Sequence, residues 1–371
     1  MSGGPYGRGK APERACMKVG LWPAQDRALW NAALVPADPF EPGGGTRAGH
    51  SAASNRKTER GYGRWLTWLA ATGQLDAAVP PDERITRDRV MAYTAHLADI
   101  GNSSQTIMCR LQDLGDMAHA LVPQLSRSFI NRIAAHVRAR HMPARDKRSR
   151  LAMTDELVAL GFRLMAEANT EPTSRLAALA FRDGLVIALL ALRPLRRKNL
   201  AALVIDVTLQ RAGDGWVISI PAEDTKTRTA IEYPWPEALV PALKIYLAVH
   251  RRVLAALRSR WAAPIGDALW VSSHGSPMTQ MALYDMVRSR TLAGLGKAIN
   301  LHLFRDGAAT TMAVEDPDHV RLAAPLLGHR TASTTERYYQ QAQSLDAHRR
   351  YRDVIEQVRI SCRKVRQAED D

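Results

Sequence analysis

The stretch Thr173–Leu200 has the sequence TSRLAALAFRDGLVIALLALRPLRRKNL. Its first part, Thr173–Leu192, is predominantly apolar and predicts a long helix. The longest purely apolar run of the chain lies within it, at Leu185–Leu192, and its eight residues are too few to cross a bilayer. A cluster of cations, Arg193–Lys198, follows at the predicted helix end. Taken alone, this cluster is best interpreted as complementing the negative end of the helix dipole.

Further helices and a few strands are predicted on either side of this segment. Thr154 is a typical N-cap residue, and the first turn behind it contains Asp155 and Glu156. Three β-type runs, residues 203–209, 216–220 and 229–233, predict a three-stranded antiparallel sheet. After Pro236 the pattern returns to helices, interrupted only by a candidate strand at residues 268–271. We therefore expect a mainly α fold with a small antiparallel β-sheet.

The part of the chain before this region shows helical patterns without strand signals. Between Tyr62 and Leu69 the apolar residues fall at i, i+3, i+4 and i+7, which is one stripe of a helix. Three more amphipathic helices are predicted, one capped by Thr86, one from about Ser103 and one carrying Ile130. Together they predict a small all-α bundle that ends near His141.

Composition divides the chain into five predicted segments. The first fifty residues mix Gly and Pro with small polar residues, which favours a flexible arm, although a short helix around Gln25–Leu34 is an alternative. The predicted segments are an N-terminal arm at residues 1–50, a helical domain at 51–142, a basic linker at 143–152, a second domain at 153–345, and a C-terminal helix and tail at 346–371.

The charge balance points to a polyanionic partner. Lys and Arg total 51 against 37 for Asp and Glu, a formal net charge of +14. Such an excess favours nucleic acid first and an anionic membrane surface second. Because neither a membrane-spanning segment nor a secretory signal is visible, the chain is expected in the cytoplasm. The three cysteines are widely spaced and predict neither a disulfide framework nor a metal site.

One stretch of the chain is strongly basic. Between Ser126 and Arg150 a single carboxylate, Asp146, stands against eight cations. A solvated helix face and a phosphate-contacting surface explain such a stretch equally well when it is taken alone. The cations are Arg127, Arg132, Arg138, Arg140, Arg145, Lys147, Arg148 and Arg150.

Three further clusters carry groups suited to chemistry. Lys226 lies at the predicted tip between two strands, where a lysine is usually just solvated. His302 precedes Arg305 by three residues, which places both side chains on one helix face. No carboxylate stands at a ligand spacing from this histidine, so a zinc site is not expected. Residues 327–339, LGHRTASTTERYY, predict a helix, a turn at Gly328 and a second helix.

The order and spacing of these clusters resemble the tyrosine recombinase, or phage integrase, family. An arginine, a lysine, a His-x-x-Arg pair and a Gly-His pair occur in succession, and a tyrosine follows nine residues after the second histidine. The resemblance covers about Ser51–Tyr351, with its specific matches in the second domain. It implies a SAM-like helical core-binding domain joined to the catalytic domain of the family, the two forming a clamp around DNA.

The resemblance also implies roles for six residues. Arg196 matches the first catalytic arginine, with Arg193 as the alternative register, and Lys226 matches the hairpin lysine. His302 and Arg305 match the His-x-x-Arg pair, and His329 matches the next histidine. Tyr338 matches the nucleophile, with Tyr339 as its alternative. These types suit phosphodiester cleavage, because two arginine forks can bind the non-bridging oxygens of a phosphate. A phenol with a pKa of about 10 must lose its proton during attack, which a cationic pocket favours.

By resemblance, the activity is site-specific recombination of double-stranded DNA through a 3′-phosphotyrosyl intermediate. It implies no metal and no cofactor, a synaptic tetramer on DNA, accessory DNA-bending proteins as further candidate partners, and a nucleoid-associated cytoplasmic protein. A non-catalytic DNA-binding regulator and a type IB topoisomerase-like enzyme are the alternatives.

The sequence departs from the family pattern at four positions. Asn199 stands where the family often has Glu or Asp, and Asp306 where it often has histidine. Phe304 replaces a common leucine, and Arg330 replaces a small residue. None of these changes removes a group that the resemblance identifies as catalytic, although the usual carboxylate support for the first arginine is missing at residue 199.

Overall fold

The computed structural model describes residues 15–36, 44–140, 151–168, 173–225, 229–258 and 264–315, with side chains up to residue 312. The chain divides into two compact units, Met1–Arg145 and Asp146–Asp371. The C-terminal helix predicted at 346–371 lies outside the described residues.

The described part of the first unit is helical. The helix after Thr86 is capped as the sequence predicts, because the Thr86 side chain accepts a hydrogen bond from the backbone N–H three residues later. The helix predicted from about Ser103 is capped in the same way by the Ser103 side chain. The core contains the stripe that begins at Tyr62. The helices are α1 (Ala24–Leu34), α2 (Ala52–Ala71), α3 (Pro81–Arg84), α4 (Arg87–Asp99), α5 (Ser104–Leu121) and α6 (Ser128–Ala139).

The segment predicted as a flexible arm contributes to this core. Trp22 and Trp30 are buried in the same cluster as Tyr62. Asp26 is also buried, accepts a hydrogen bond from the hydroxyl of Tyr62 at 2.7 Å and forms an ion pair with the buried Arg84. The flexible arm predicted for residues 1–50 is therefore wrong for residues 15–36, while the alternative helix around Gln25–Leu34 is confirmed as α1. The Gly and Pro content outweighed the two tryptophans in that prediction.

The second unit is organised around the long apolar helix. This helix begins after Ser174, whose hydroxyl caps it, and its buried residues include the whole run from Phe181 to Ala191. It crosses the preceding helix where Gly161 meets Gly184, since a Cβ on Gly161 would lie 2.7 Å from the carbonyl oxygen of Gly184. The described helices are α7 (Thr154–Ala168), α8 (Arg175–Leu192), α9 (Arg197–Ala201), α10 (Val240–Ile245), α11 (Arg251–Ala256), α12 (Gln280–Leu295) and α13 (Leu301–Glu315). A π-helical turn, Tyr246–His250, joins α10 to α11.

A three-stranded antiparallel sheet interrupts the helices, as predicted. Its strands β1 (Leu209–Ala212), β2 (Gly215–Ile220) and β3 (Ile231–Pro234) follow the order β1-β2-β3. The mainly α fold with a small antiparallel sheet is thereby confirmed.

Two of the strand predictions were wrong, one for the first strand of the sheet and one for the candidate strand at residues 268–271. Residues 203–208 are not the first strand, because the chain turns at Asp206, which has a φ of 60°. The backbone of Leu203 and Ile205 instead bonds to Leu269 and Asp267. The candidate strand at 268–271 consequently forms only isolated bridges, to Val204 and to Pro277.

Within the described ranges, no helix combines the length and the apolar character that crossing a membrane would need.

Candidate active site

The loop between α8 and α9 presents two of the predicted arginines. Pro194 has no backbone N–H and disfavours helical geometry in the residue before it, so α8 ends at Leu192 and Arg193 is extended. Arg196 occupies the N-cap position of α9 and is also extended. The residues between them, Pro194 and Leu195, are buried, while both arginines are half-buried. The loop is therefore anchored by its apolar residues and exposes its cations in part.

Arg193 ties this loop to the sheet. Its Nε donates to the carbonyl oxygen of Pro234 in β3 at 3.1 Å, and its Nη1 donates to the carbonyl oxygen of Leu192 at 2.9 Å. The second bond satisfies a carbonyl at the end of α8, so Arg193 serves the end of the helix in the way that the simplest sequence interpretation expects.

Arg305 reaches the same loop from α13. The side chain of Asn300 caps this helix, because its Oδ1 accepts from the backbone N–H of His302 at 2.9 Å and of Leu303 at 3.2 Å. One turn later Arg305 is only 7% exposed, and its Nη1 donates to the carbonyl oxygen of Pro194. Both residues of the His-x-x-Arg pair lie in α13, with His302 exposed and Arg305 buried. Arg305 lies against the backbone two residues before Arg196.

α13 is fixed from its other side by the start of α7. The hydroxyls of Thr154 and Thr311 are hydrogen-bonded at 3.0 Å, and Lys297 Nζ donates to the carbonyl oxygen of Leu151 at 3.3 Å. A Cβ on Gly307 would lie 2.9 Å from the carbonyl oxygen of Ala152, so the helix approaches this backbone closely. These contacts fix the position of α13, and with it the position of Arg305.

The phenol of Tyr233 in β3 interacts electrostatically with three arginines of the site. Burial raises the pKa of its phenol above the usual value, and Arg305, Arg196 and Arg193 oppose that rise. All three guanidinium groups are therefore close enough to act on one phenol. Arg305 itself contacts the loop that carries Arg193 and Arg196, through its hydrogen bond to Pro194.

Thr225 and Thr229, which flank the segment that contains Lys226, are hydrogen-bonded to each other. Thr225 is buried, and its hydroxyl accepts from the backbone N–H of Thr229 at 3.1 Å and donates to the carbonyl oxygen of Thr229 at 2.9 Å. Lys198 in α9 donates to the carbonyl oxygen of Asp224 at 2.9 Å. Asp224, two residues before Lys226, is thus joined to the short helix that begins after Arg196.

The remaining predicted catalytic residues divide into two groups. His302 is exposed in the first turn of α13, three residues before Arg305. The other positions, which lie outside the described residues, are Lys226, His329, Tyr338 and Tyr339.

The predicted DNA-contacting arginines are described only in part. Arg132 and Arg138 are exposed on α6, and Arg140 is exposed at its C-cap. Arg127 is half-buried at the start of the helix, with its Nη1 3.9 Å from Asp116 Oδ1. The basic residues outside the described ranges are Arg145, Lys147, Arg148 and Arg150.

The two polar departures from the family pattern near the arginines are both buried. Asn199 is 3% exposed, and its Nδ2 has no hydrogen-bond partner among the described residues. Asp306, next to Arg305, is 8% exposed. Among the residues that the structure describes, no group of three His, Cys, Asp or Glu side chains could hold a metal ion.

Comparison with known proteins relates the second unit and the fold to a family. Residues 162–344 match the model of the phage integrase family, and they form a domain of that family. XerH site-specific recombinase, in a post-cleavage complex with a palindromic difH substrate, has a similar fold, with a TM-score of 0.52 at 14% identity over 93% of this chain and 98% of that one. The Tn1549 transposon integrase, in complex with transposon right-end DNA, has a TM-score of 0.52 at 17% identity over 82% of this chain and 95% of that one. The fold is that of the tyrosine recombinases. No curated protein matches the chain by sequence.

Three features of the site were not predicted from the sequence. Asn300 as the cap of α13 follows the N-cap preference and could have been found from the pattern that precedes His302. The contact between Lys198 and Asp224 has no local signal, because it depends on how α9 meets the hairpin. Tyr233 likewise gave no signal, since a tyrosine in a short strand is ordinary.

Proposed function

We propose that the chain is a site-specific DNA recombinase that cuts and rejoins strands through a 3′-phosphotyrosyl intermediate. The observation that carries the proposal is the approach of Arg305 to the loop of Arg196. Two fixed guanidinium forks are the groups needed to bind the two non-bridging oxygens of a phosphodiester. Membership of residues 162–344 in the phage integrase family supports the same activity.

In the proposed reaction the phenol oxygen of Tyr338 attacks the scissile phosphorus. Its proton passes to His302 as the new O–P bond forms, and the bond to the 5′ oxygen breaks. Lys226 donates a proton to that departing oxygen, and His329 adds a hydrogen bond to the phosphate. The phosphodiester is conserved as a phosphotyrosyl ester, so attack by a second 5′ hydroxyl rejoins the strands without an external energy source.

We also propose double-stranded DNA as the partner. The net charge of +14 and the exposed arginines of α6 suit a polyanion. The similar XerH and Tn1549 structures are complexes with DNA. A synaptic tetramer on DNA, with accessory DNA-bending proteins, is the assembly that we propose from the family resemblance.

The test is covalent capture of DNA. The protein is incubated with nicked genomic fragments of the source organism. After cleavage near a nick, the short strand beyond the cut diffuses away and takes with it the 5′ hydroxyl needed for rejoining, so the covalent intermediate is trapped. We expect an adduct that survives SDS and that the Tyr338→Phe variant does not form, while Tyr339→Phe still forms it. The captured fragments, once sequenced, supply the target site.

The other outcomes of this experiment separate the alternatives. DNA binding with no adduct from the unmodified protein would indicate a non-catalytic regulator and would overturn the proposal. Relaxation of supercoiled DNA carrying two copies of the captured site, without exchange between them, would indicate a topoisomerase-like enzyme.

A further inference from the structure

We propose that Tyr233 is a further catalytic residue, whose hydroxyl donates a hydrogen bond to a non-bridging oxygen of the phosphate bound by Arg196 and Arg305. The inference rests on the proposed function and adds a further hydrogen-bond donor to the same pocket. Neither the family pattern that the sequence showed nor the residues assigned above include it.

The register of the sheet places the side chain of Tyr233 on the core face. Tyr233 is paired with Ile218, and Ile231 with Ile220. Both partners in β2 are buried, and side chains opposite each other in neighbouring strands lie on the same face. The intervening residue of β3, Glu232, is exposed. Tyr233 therefore points toward the side of the sheet that packs on the core.

The strand brings Tyr233 next to the arginine loop. The carbonyl oxygen of the following residue, Pro234, accepts the hydrogen bond from Arg193 Nε at 3.1 Å. The carbonyl oxygen of Pro194, one residue beyond Arg193, accepts the bond from Arg305. Two hydrogen bonds thus join β3, the arginine loop and α13 in sequence, and Tyr233 lies at the β3 end of this chain of contacts.

The state of the phenol suits a donor rather than a nucleophile. Its ring packs against the apolar core while the residue stays half-buried. Burial is the largest influence on its pKa and raises it, in spite of the three nearby guanidinium groups, so the hydroxyl keeps its proton at neutral pH. A protonated phenol beside two arginines adds a neutral donor where the transition state gathers negative charge.

The experiment compares Tyr233→Phe with the unmodified protein on the captured target site, in single-turnover adduct formation. Phenylalanine keeps the ring and removes only the donor. We expect the rate on the ordinary phosphodiester to fall about ten- to a hundredfold, as for the loss of one hydrogen bond to a charged group. DNA affinity and thermal unfolding should be unchanged.

Methylphosphonate substrates distinguish a phosphate contact from a structural role. In each of the two diastereomers, a methyl group replaces one non-bridging oxygen of the scissile phosphate. The deficit of Tyr233→Phe should vanish on the diastereomer that lacks the contacted oxygen and persist on the other. Equal deficits on both diastereomers, or no deficit on the phosphodiester, would overturn the inference.

Tyr284→Phe is the matched control. The ring of Tyr284 packs against the same core, with the guanidinium carbon of Arg197 5.8 Å from its centroid. The substitution keeps this ring, so adduct formation should not change. If the unmodified protein forms no adduct with any DNA, the proposed function fails and this inference fails with it. An active protein with an unaffected Tyr233→Phe variant overturns the inference alone.

Discussion

The guanidinium group of Arg305 donates a hydrogen bond to the carbonyl oxygen of Pro194, which precedes it by 111 residues in the sequence. This bond couples α13 to the loop that ends in Arg196. Because Arg305 is almost fully buried, its orientation is set by the core and does not depend on bound DNA. The proposed phosphate pocket is therefore preorganised, which is the property that lowers the cost of stabilising charge in a transition state.

Arg305→Lys should abolish most of the activity while leaving the fold intact. A lysine can reach one acceptor but cannot bind Pro194 and a phosphate oxygen with a planar fork. We expect adduct formation to slow by about a hundredfold or more, measured in single-turnover reactions. Arg211→Lys, at the exposed end of β1, is the control and should react normally. If Arg305→Lys formed the adduct as fast as the unmodified protein, this would contradict the role assigned to the guanidinium group.

Arg196 and Arg193 should respond differently to the same substitution. Arg193 already donates to two backbone carbonyls and acts as a link between the loop and β3. We expect Arg196→Lys to slow adduct formation by about a hundredfold and Arg193→Lys to have a much smaller effect. The reverse order of effects would instead assign the catalytic position to Arg193.

Lys198 should act through the hairpin that carries Lys226. Lys198→Met removes the hydrogen bond to the carbonyl oxygen of Asp224, and we expect adduct formation to slow by about three- to tenfold. A substrate with sulfur in place of the departing 5′ oxygen needs no proton donor, so it should restore the rate. Lys198→Arg keeps a donor and should retain activity. A deficit that persists with the sulfur substrate would indicate a purely structural role.

The buried ion pair of the first unit should dominate the stability of its N-terminal segment. Asp26→Ala leaves Arg84 buried without its carboxylate, which costs about 3–5 kcal/mol in the free energy of unfolding. Tyr62→Phe removes one hydrogen bond to Asp26 and should cost about 1–2 kcal/mol. Urea unfolding followed by tryptophan fluorescence measures both changes. The double variant Asp26→Leu/Arg84→Met should be more stable than Asp26→Ala, and equal stabilities would contradict the account of an unpaired buried charge.

The exposed arginines of α6 should contribute to DNA affinity through phosphate contacts. Arg132→Ala and Arg138→Ala should each reduce the slope of log affinity against log salt by about one. Arg27→Ala, an exposed substitution in α1, provides the comparison and should leave the slope unchanged. An unchanged slope for both α6 variants would favour the alternative that this face is merely solvated.

Local patterns predicted most of the fold. The apolar helix before Arg193, the N-cap at Thr86, the helix start near Ser103 and the three-stranded sheet all follow from periodicity and turn chemistry. The first strand was misplaced because residues 203–208 have β-type side chains but turn at Asp206 and bond to residues near 268. That partner lies some sixty residues farther along the chain, beyond the reach of any local pattern.

The proposed catalytic set is predictable in a different way. Arg196 and Arg305 were identified through a resemblance in order and spacing. The contact of Arg305 with the loop of Arg196 depends on the buried Pro194 and on the packing of α13. Tyr233 reaches the same place through strand register and tertiary packing. Sequence patterns specify which face a residue occupies, but they do not specify which distant side chain shares that face.

The most direct test of the account is the identity of the residue that becomes attached to DNA. The trapped adduct is digested with protease and nuclease, and the peptide carrying the remaining nucleotide is sequenced by mass spectrometry. We predict a single modified residue, Tyr338, joined through its phenol oxygen to a 3′ phosphate. Attachment at a different residue, or through a 5′ phosphate, would contradict the account.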